Sequence, residues 1–432
     1  MSRRIAMIKI YDYDKISIDE IFARDIEDTS AIENTVADII YDVRKNGDKA
    51  LLAYAEKFDG GAPENLLVTE KEYEEAMHEV SPELIEILKK AKKNIEHFHK
   101  NQVREGFRLD EADGVVIGQK ITPVEKAGLY VPGGTAAYPS SVLMNCVPAK
   151  LAGCSEIVIT TPAKCGKVNS AILVAAKIGG VDKVFKTGGA QAIAALAYGT
   201  ETIPKVDKIV GPGNAFVAEA KKQVFGKVSI DMIAGPSEIL VVADSKSNPE
   251  FVAADMLSQA EHDKMASAVL VTDSRELAEK VSAELERQIP LLQRAEIARA
   301  SIDNSGKIII ADNIKQAIDV ANEIAPEHLE LCLDNPFDYL ESIRHAGSIF
   351  MGRYCPEALG DYFAGPNHTL PTSGTARFSS PLSVDDFIKK TQYTYYTPEA
   401  LKKVSDDIYT FAMAEGLEAH AKSAVSRFKK EM

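Results

Sequence analysis

Between Glu156 and Gly226 the chain runs three times through a short apolar stretch, a glycine or proline, and a helical pattern: EIVITTPAKCGKVNSAILVAAKIGG, KVFKTGGAQAIAALAYGT and DKIVGPGNAFVAEAKKQVFG. Such alternation leaves few folds open, because parallel strands need a crossover between them and a helix is the usual one. A second series begins after Ala266, with SAVLVTDSRELAEKVSAEL, KIIIADNIKQAIDVANEIA and GSIFMGRYCPEALGD. The fold class is therefore α/β, with two Rossmann-like parallel-sheet domains. The Pro/Gly-rich stretches LYVPGG (Leu129–Gly134) and IAGPSE (Ile233–Glu238) read as hinges bounding an inner domain. The expected organisation is a helical N-terminal arm over 1–19, a discontinuous domain of 20–128 with 236–380, an inserted domain over 129–235, and a tail over 381–432. The tail reads as strand-like TQYTYYT and one long helix ending near Lys430. That is too little to fold alone, so it is expected to pack on something else, such as a second subunit.

A chain of 432 residues with 45% apolar and 26% charged content can bury cores for two or three domains. A net charge of −14 without any basic run argues against a nucleic-acid partner. The opening MSRRIAMIKIYDYDK has no apolar segment behind its arginines, and no later stretch approaches the length of a membrane span. The expectation is a soluble cytoplasmic protein with no membrane partner, which also disfavours a secreted two-domain solute-binding protein. The five cysteines (Cys146, Cys154, Cys165, Cys332, Cys355) are scattered and lack C-x-x-C spacing, so they read as small buried hydrophobes. Cys146, in MNCVPA, has no Lys, Arg or His beside it to lower its pKa, which weighs against a thiol-dependent aldehyde dehydrogenase.

Chemistry-bearing residues gather in a few places. In IAPEHLELCL, Pro326 should end the helix NIKQAIDVANEIA at Ala325, while Leu329, Leu331 and Leu333 alternate with Glu330 and Cys332 as in a half-buried strand. Glu327 and His328 then sit at a helix-to-strand junction. Both can serve one site only if the backbone there is irregular; a plain polar loop is the alternative. TGGAQ and GPGN fall where a parallel sheet would present ligand loops, yet Phe216 stands where a full G-x-G-x-x-G needs glycine, so ordinary tight turns remain open. His78, His97 and His99 lie in Lys/Glu-rich helical sequence and read as solvated. His262 follows Gln259 by three residues in DMLSQAEHDK, which puts both on one side of a predicted helix, as metal donors or as a hydrogen-bonded pair. Asp361 in ALGDYFAGPNH and His420 in EGLEAH could complete a nitrogen/oxygen donor set.

Taken together, AGLYVPGGTAAYPSSVLMN, TGGAQAIAALAYGTE, GPGNAFVAEAKKQV, IDMIAGPSEILVVAD, SQAEHD, IAPEHLEL and GDYFAGPNHTLPTSGTARFSSPLS resemble the histidinol dehydrogenase family over essentially the whole chain, in order and spacing. The resemblance implies oxidation of L-histidinol to L-histidine through the aldehyde, with two NAD and one zinc (Zn2+) per subunit. It implies Gln259, His262, Asp361 and His420 as zinc ligands and Glu327 and His328 as the acid/base pair. Ser237, His368 and Glu415 would join the ligands and His328 around substrate, and Tyr130, Gln191 and Asn214 would contact NAD. The family is a homodimer whose tail crosses to the neighbouring subunit, so Glu415 and His420 would complete the partner's site.

Overall fold

A computed structural model of the protein describes residues 7–17, 21, 30–111, 114–133 and 138–428. Strand β1 (Lys9–Asp12) is followed by helices α1 (Ser30–Asn46), α2 (Asp48–Phe58), α3 (Glu70–Glu79) and α4 (Pro82–His99), then by strands β2 (Phe107–Glu111) and β3 (Val115–Pro123). The first βαβ series then runs β4 (Lys126–Tyr130), α5 (Pro139–Ala152), β5 (Glu156–Thr161), α6 (Ser170–Gly179), β6 (Lys183–Lys186), α7 (Gly189–Tyr198), β7 (Lys208–Val210), α8 (Ala215–Val224) and β8 (Ser229–Ile230). Its strands form one parallel sheet in the order β6-β5-β4-β7-β8. Helices cover both faces, which is why Ile157, Val158 and Ile159 are all inaccessible.

Helices α3, α4, α5 and α6 lie over one face of this sheet, and α1, α2, α7 and α8 over the other. The apolar stripe of α1, Val36, Ile39, Ile40 and Val43, packs against the alanine-rich α7. The helices between residues 30 and 99 thus pack their apolar faces against the first sheet, while α4 also reaches the 236–380 segment, where Asn94 Nδ2 donates to Phe363 O at 2.8 Å. Leu129 and Tyr130 end β4 rather than precede the sheet, so the expected limit at 129 falls inside a strand.

The second series runs β9 (Glu238–Ala243), α9 (Pro249–Ala260), β10 (Ser267–Thr272), α10 (Arg275–Gln288), α11 (Ala295–Ser305), β11 (Lys307–Ile310), α12 (Ile314–Ile324), β12 (His328–Cys332), β13 (Ser348–Met351) and α13 (Glu357–Tyr362). These strands and β1 make a six-stranded parallel sheet, β1-β11-β10-β9-β12-β13. Part of the expected helical arm is therefore an edge strand, Lys9–Asp12 beside β11, while residues 1–6 and 18–19 lie outside the described ones. Strand β12 is buried on both faces, not half-buried. Leu329, Leu331 and Leu333 enter the aliphatic core on one side, and Glu330 and Cys332, equally buried, lie on the other. Among the described residues no helix is long and apolar enough to cross a membrane.

Residues Val103–Pro123 and Ile388–Met432 form a compact unit of their own. Strand β3 pairs antiparallel with β2 and with β14 (Ile388–Tyr396), so the tail draws its sheet from the 103–123 segment. The expected single helix is two, α14 (Pro398–Ala414) and α15 (Glu418–Val425), separated at Gly416, whose φ of +76° breaks the helical path; Lys430 lies outside the described residues.

Candidate active site

Helix α12 ends where Pro326 requires, and Ala325 takes the left-handed conformation, φ 49°, with its N–H bonded to Ala321 O. A non-glycine residue there is strained by about 1–3 kcal/mol. This irregular turn brings the adjacent side chains to one anchor. The N–H of Glu238, first residue of β9, donates to Glu327 Oε2 at 3.0 Å, and His328 Nδ1 lies 2.9 Å from Glu238 O. A carbonyl can only accept, so Nδ1 carries a hydrogen, and Nε2 is the nitrogen without a hydrogen-bond partner.

His328 Nε2 faces Glu357 Oε1 and Asp361 Oδ1, each at 3.9 Å. Both carboxylates come from α13, one turn apart and so on one face. Glu357 is held from behind: its N–H donates to Glu330 Oε1 at 2.6 Å, and its Oε2 accepts from the Ser258 hydroxyl at 2.8 Å. His368 Nδ1 donates to Asp361 O at 3.1 Å and lies 3.8 Å from Asp361 Oδ1, while its Nε2 accepts from Ser141 Oγ at 3.1 Å. Ser141 belongs to α5 of the first sheet.

Burial pushes Glu327 up to about 8. For His328 burial opposes the charged form, but the surrounding carboxylates Glu327, Asp361 and Glu357 outweigh it and push the imidazole up to about 10. Burial likewise raises Glu357 to about 7, with Asp361 adding to the effect. Asp361 moves the other way: burial is overcome by His328 and His368, and its carboxyl stays below the usual range. Burial lowers His262, which also feels the charges of Asp361 and His328. The imidazole is thereby kept in the neutral form that binds metals.

Gln259, in the last turn of α9 and 1% exposed, has a buried amide oxygen and amide nitrogen without a hydrogen-bond partner. His328 Nε2 and Glu357 Oε1 are buried and unpartnered too. The alternative of a hydrogen-bonded Gln259–His262 side-chain pair is therefore not what the structure contains. Buried polar atoms left this way cost about 1–3 kcal/mol each unless a ligand or ion partners them. The imidazole of His262 and the carboxylate of Asp361 are ordinary zinc donors and the Gln259 amide oxygen is a poor one, present here as a buried acceptor without a partner. His328, Glu357 and Asp361 offer ligand atoms that all lie within 4.8 Å of one another. Glu415 and His420 are exposed on the second unit. Ser237 is half-buried just before β9. Glu357 was missed in the sequence; its spacing of four from Asp361 in EALGD was the available signal.

The glycine loops do lie at the carboxyl ends of the first sheet. Tyr130, last in β4, is buried, accepts from Gly189 N at 3.1 Å through its hydroxyl, and is pushed up to about 12 by burial. Gln191 is buried in the first turn of α7, and Asn214 caps α8 by accepting from Val217 N at 3.1 Å. Gly211 (φ +117°) is pressed on Tyr130 so closely that a Cβ would stand 2.1 Å from its carbonyl oxygen. Glu327, His328 and Glu238, by contrast, stand at the amino ends of the second sheet, opposite to the usual ligand side of such sheets.

His99 corrects the solvated reading: it is fully buried, with Nδ1 2.7 Å from Gln102 Oε1, while His78 and His97 are exposed. Of the cysteines, Cys146, Cys154 and Cys332 are buried as expected, but Cys165 is exposed and Cys355 intermediate. Burial pushes the Cys146 thiol up to about 12, and its Sγ donates to Gly179 O at 3.2 Å.

Glycine loops at one sheet's carboxyl ends, with a buried imidazole–carboxylate couple beside metal-type donors, define an α/β enzyme rather than a simple binding module. The family model described as histidinol dehydrogenase matches residues 22–428. A histidinol dehydrogenase of Clostridium acetobutylicum is 56% identical over 404 residues, 93% of this chain and 94% of that one. One of Streptococcus mutans is 55% identical, covering 91% and 92%. The crystal structure of histidinol dehydrogenase from Elizabethkingia anophelis superposes with a TM-score of 0.92 at 39% identity, covering 97% and 98% of the two chains. The chain belongs to the histidinol dehydrogenase family, oxidoreductases of histidine biosynthesis.

Proposed function

We propose that this chain oxidises L-histidinol to L-histidine through L-histidinaldehyde, using two NAD and one zinc per subunit, as a cytoplasmic homodimer. The observation that carries the reading is the buried group His328, Glu357 and Asp361, whose ligand atoms lie within 4.8 Å of one another, together with the unpartnered buried amide of Gln259. Gln259, His262 and Asp361 would hold the metal together with His420 lent by a second copy. When bound, zinc would supply a template for the substrate's imidazole and amine and a positive charge that favours the neutral form of His328, and NAD would supply the hydride acceptor.

His328 accepts the hydroxyl proton at Nε2, since its Nδ1–H is committed to Glu238 O. The developing imidazolium faces Glu357 and Asp361, which stabilise it. The aldehyde must be hydrated before the second oxidation. Glu327 takes a proton from that water, and burial has moved its carboxyl to a range where it exchanges protons near neutrality. His328 then accepts the proton of the hydrate. Ser237, His368 and the partner's Glu415 equivalent would orient substrate, while Tyr130, Gln191 and Asn214 would contact NAD.

The test is dialysed protein assayed with histidinol and NAD, with and without added zinc. Two NADH per histidinol, restored by zinc, are expected. Full turnover in thoroughly metal-free protein would overturn the zinc assignment, and none in zinc-loaded protein the substrate assignment.

A further inference from the structure

We infer that the buried ion pair of Lys221 and Asp231 is a positioning element for the nucleotide loop: it fixes the main chain of Gly211, from which Pro212, Gly213 and Asn214 lead into α8. The inference rests on the proposed NAD site. Lys221, on α8, and Asp231, just after β8, form an ion pair whose side chains are 2% and 1% exposed. Lys221 Nζ donates to Gly211 O at 3.0 Å. Asp231 Oδ2 accepts from Gly211 N at 2.7 Å, and its Oδ1 from Met232 N at 2.7 Å.

Both main-chain polar groups of Gly211 therefore end on the two partners of one ion pair. Strand β7 stops at Val210, so Gly211 is the first residue beyond the ladder. Its N–H and C=O would be buried without strand partners, and a buried main-chain group must be satisfied by something. Taking two charges out of water is unfavourable enough that well-packed apolar residues would hold a core as well. What the charges add is direction. They hold Gly211 at φ +117° against the Tyr130 carbonyl, a conformation that fixes where the loop leaves the sheet. Tyr130 in turn holds Gly189 of the neighbouring glycine loop. The pair thus anchors, through one glycine, two of the loops assigned to NAD.

The test uses the zinc-loaded enzyme with two variants, Lys221→Met and the double variant Lys221→Met/Asp231→Asn, which leaves no unmatched buried charge if the single one fails to fold. Folding is followed by melting temperature, and hydrogen exchange of residues 209–217 in the wild type, with and without NAD, checks the site itself. The expected result is NAD protection of that segment, and in the folded variant a KM for NAD raised about tenfold or more while KM for histidinol moves much less. Lys221→Arg, which keeps charge and donors, should recover most of the loss. A folded double variant with wild-type KM for NAD, alongside NAD protection of the wild-type loop, overturns the inference alone. Absence of protection in the wild type overturns the NAD site with it.

Discussion

His328 donates from Nδ1 to the main-chain oxygen of Glu238 at 2.9 Å, while the N–H of the same Glu238 donates to Glu327 at 3.0 Å. One residue at the start of β9 therefore fixes both the tautomer of the imidazole and the position of the carboxyl beside it. The anchor is main chain, so side-chain changes at 327 leave it in place.

Glu327→Gln keeps an oxygen to accept from Glu238 N and loses only the proton-accepting function. Its melting temperature should stay near wild type. In the assay the first oxidation should proceed and the second slow by about 10²–10⁴-fold, with aldehyde trapped by an added amine reagent. Normal overall turnover would remove Glu327 from the mechanism.

Gln259 has two unpartnered buried amide atoms. Replacing it with Leu should leave the metal-free protein as stable as wild type or up to about 3 kcal/mol more so, because the unsatisfied groups are gone. Added zinc should raise the wild-type melting temperature and barely move the variant's. Equal stabilisation of both would show that Gln259 faces no metal.

His99 provides a pH test at a residue outside the proposed catalytic and metal-binding set. Burial holds its pKa below the ordinary value, so the folded chain disfavours the protonated ring. Its contribution to stability is full above the unfolded value of about 6.5 and is lost as pH falls through the lower folded value, at no more than about 1.4 kcal/mol per pH unit. Urea midpoints of wild type and His99→Gln should diverge in slope below about pH 6.5, the variant being flatter. Parallel curves would mean the ring is solvated after all.

Cys146 tests the rival thiol chemistry. Cys146→Ala should retain turnover and lose about 1–2 kcal/mol of stability, the effect of a small cavity and one weak hydrogen bond. A folded variant without activity would favour a thiohemiacetal route.

The sheets were legible because the period-two and period-3.6 patterns are local. Partnership was not. The stripe Val36, Ile39, Ile40, Val43 says that α1 must be covered, but nothing in it distinguishes one sheet from the other. Glu330 read as solvent-facing because its alternation with leucine is what a half-buried strand shows; its partner, the N–H of Glu357, is 27 residues away. His99 is buried against Asn367 as well as Gln102, the first of them 268 residues distant. Glu327 and His328 were found because proline and a carboxylate–imidazole pair at a junction are unusual locally, and their roles came from family resemblance. Glu357 carried no such mark.

The central claim is that His328, with Nε2 free among carboxylates, is the base for both oxidations. Single-turnover assays of zinc-restored wild type and His328→Asn, each checked for bound zinc by elemental analysis, test it most directly. The account predicts equal zinc content and a loss of about 10²–10⁴-fold in the rate of NADH formation; a zinc-loaded His328→Asn enzyme turning over at the wild-type rate would contradict it.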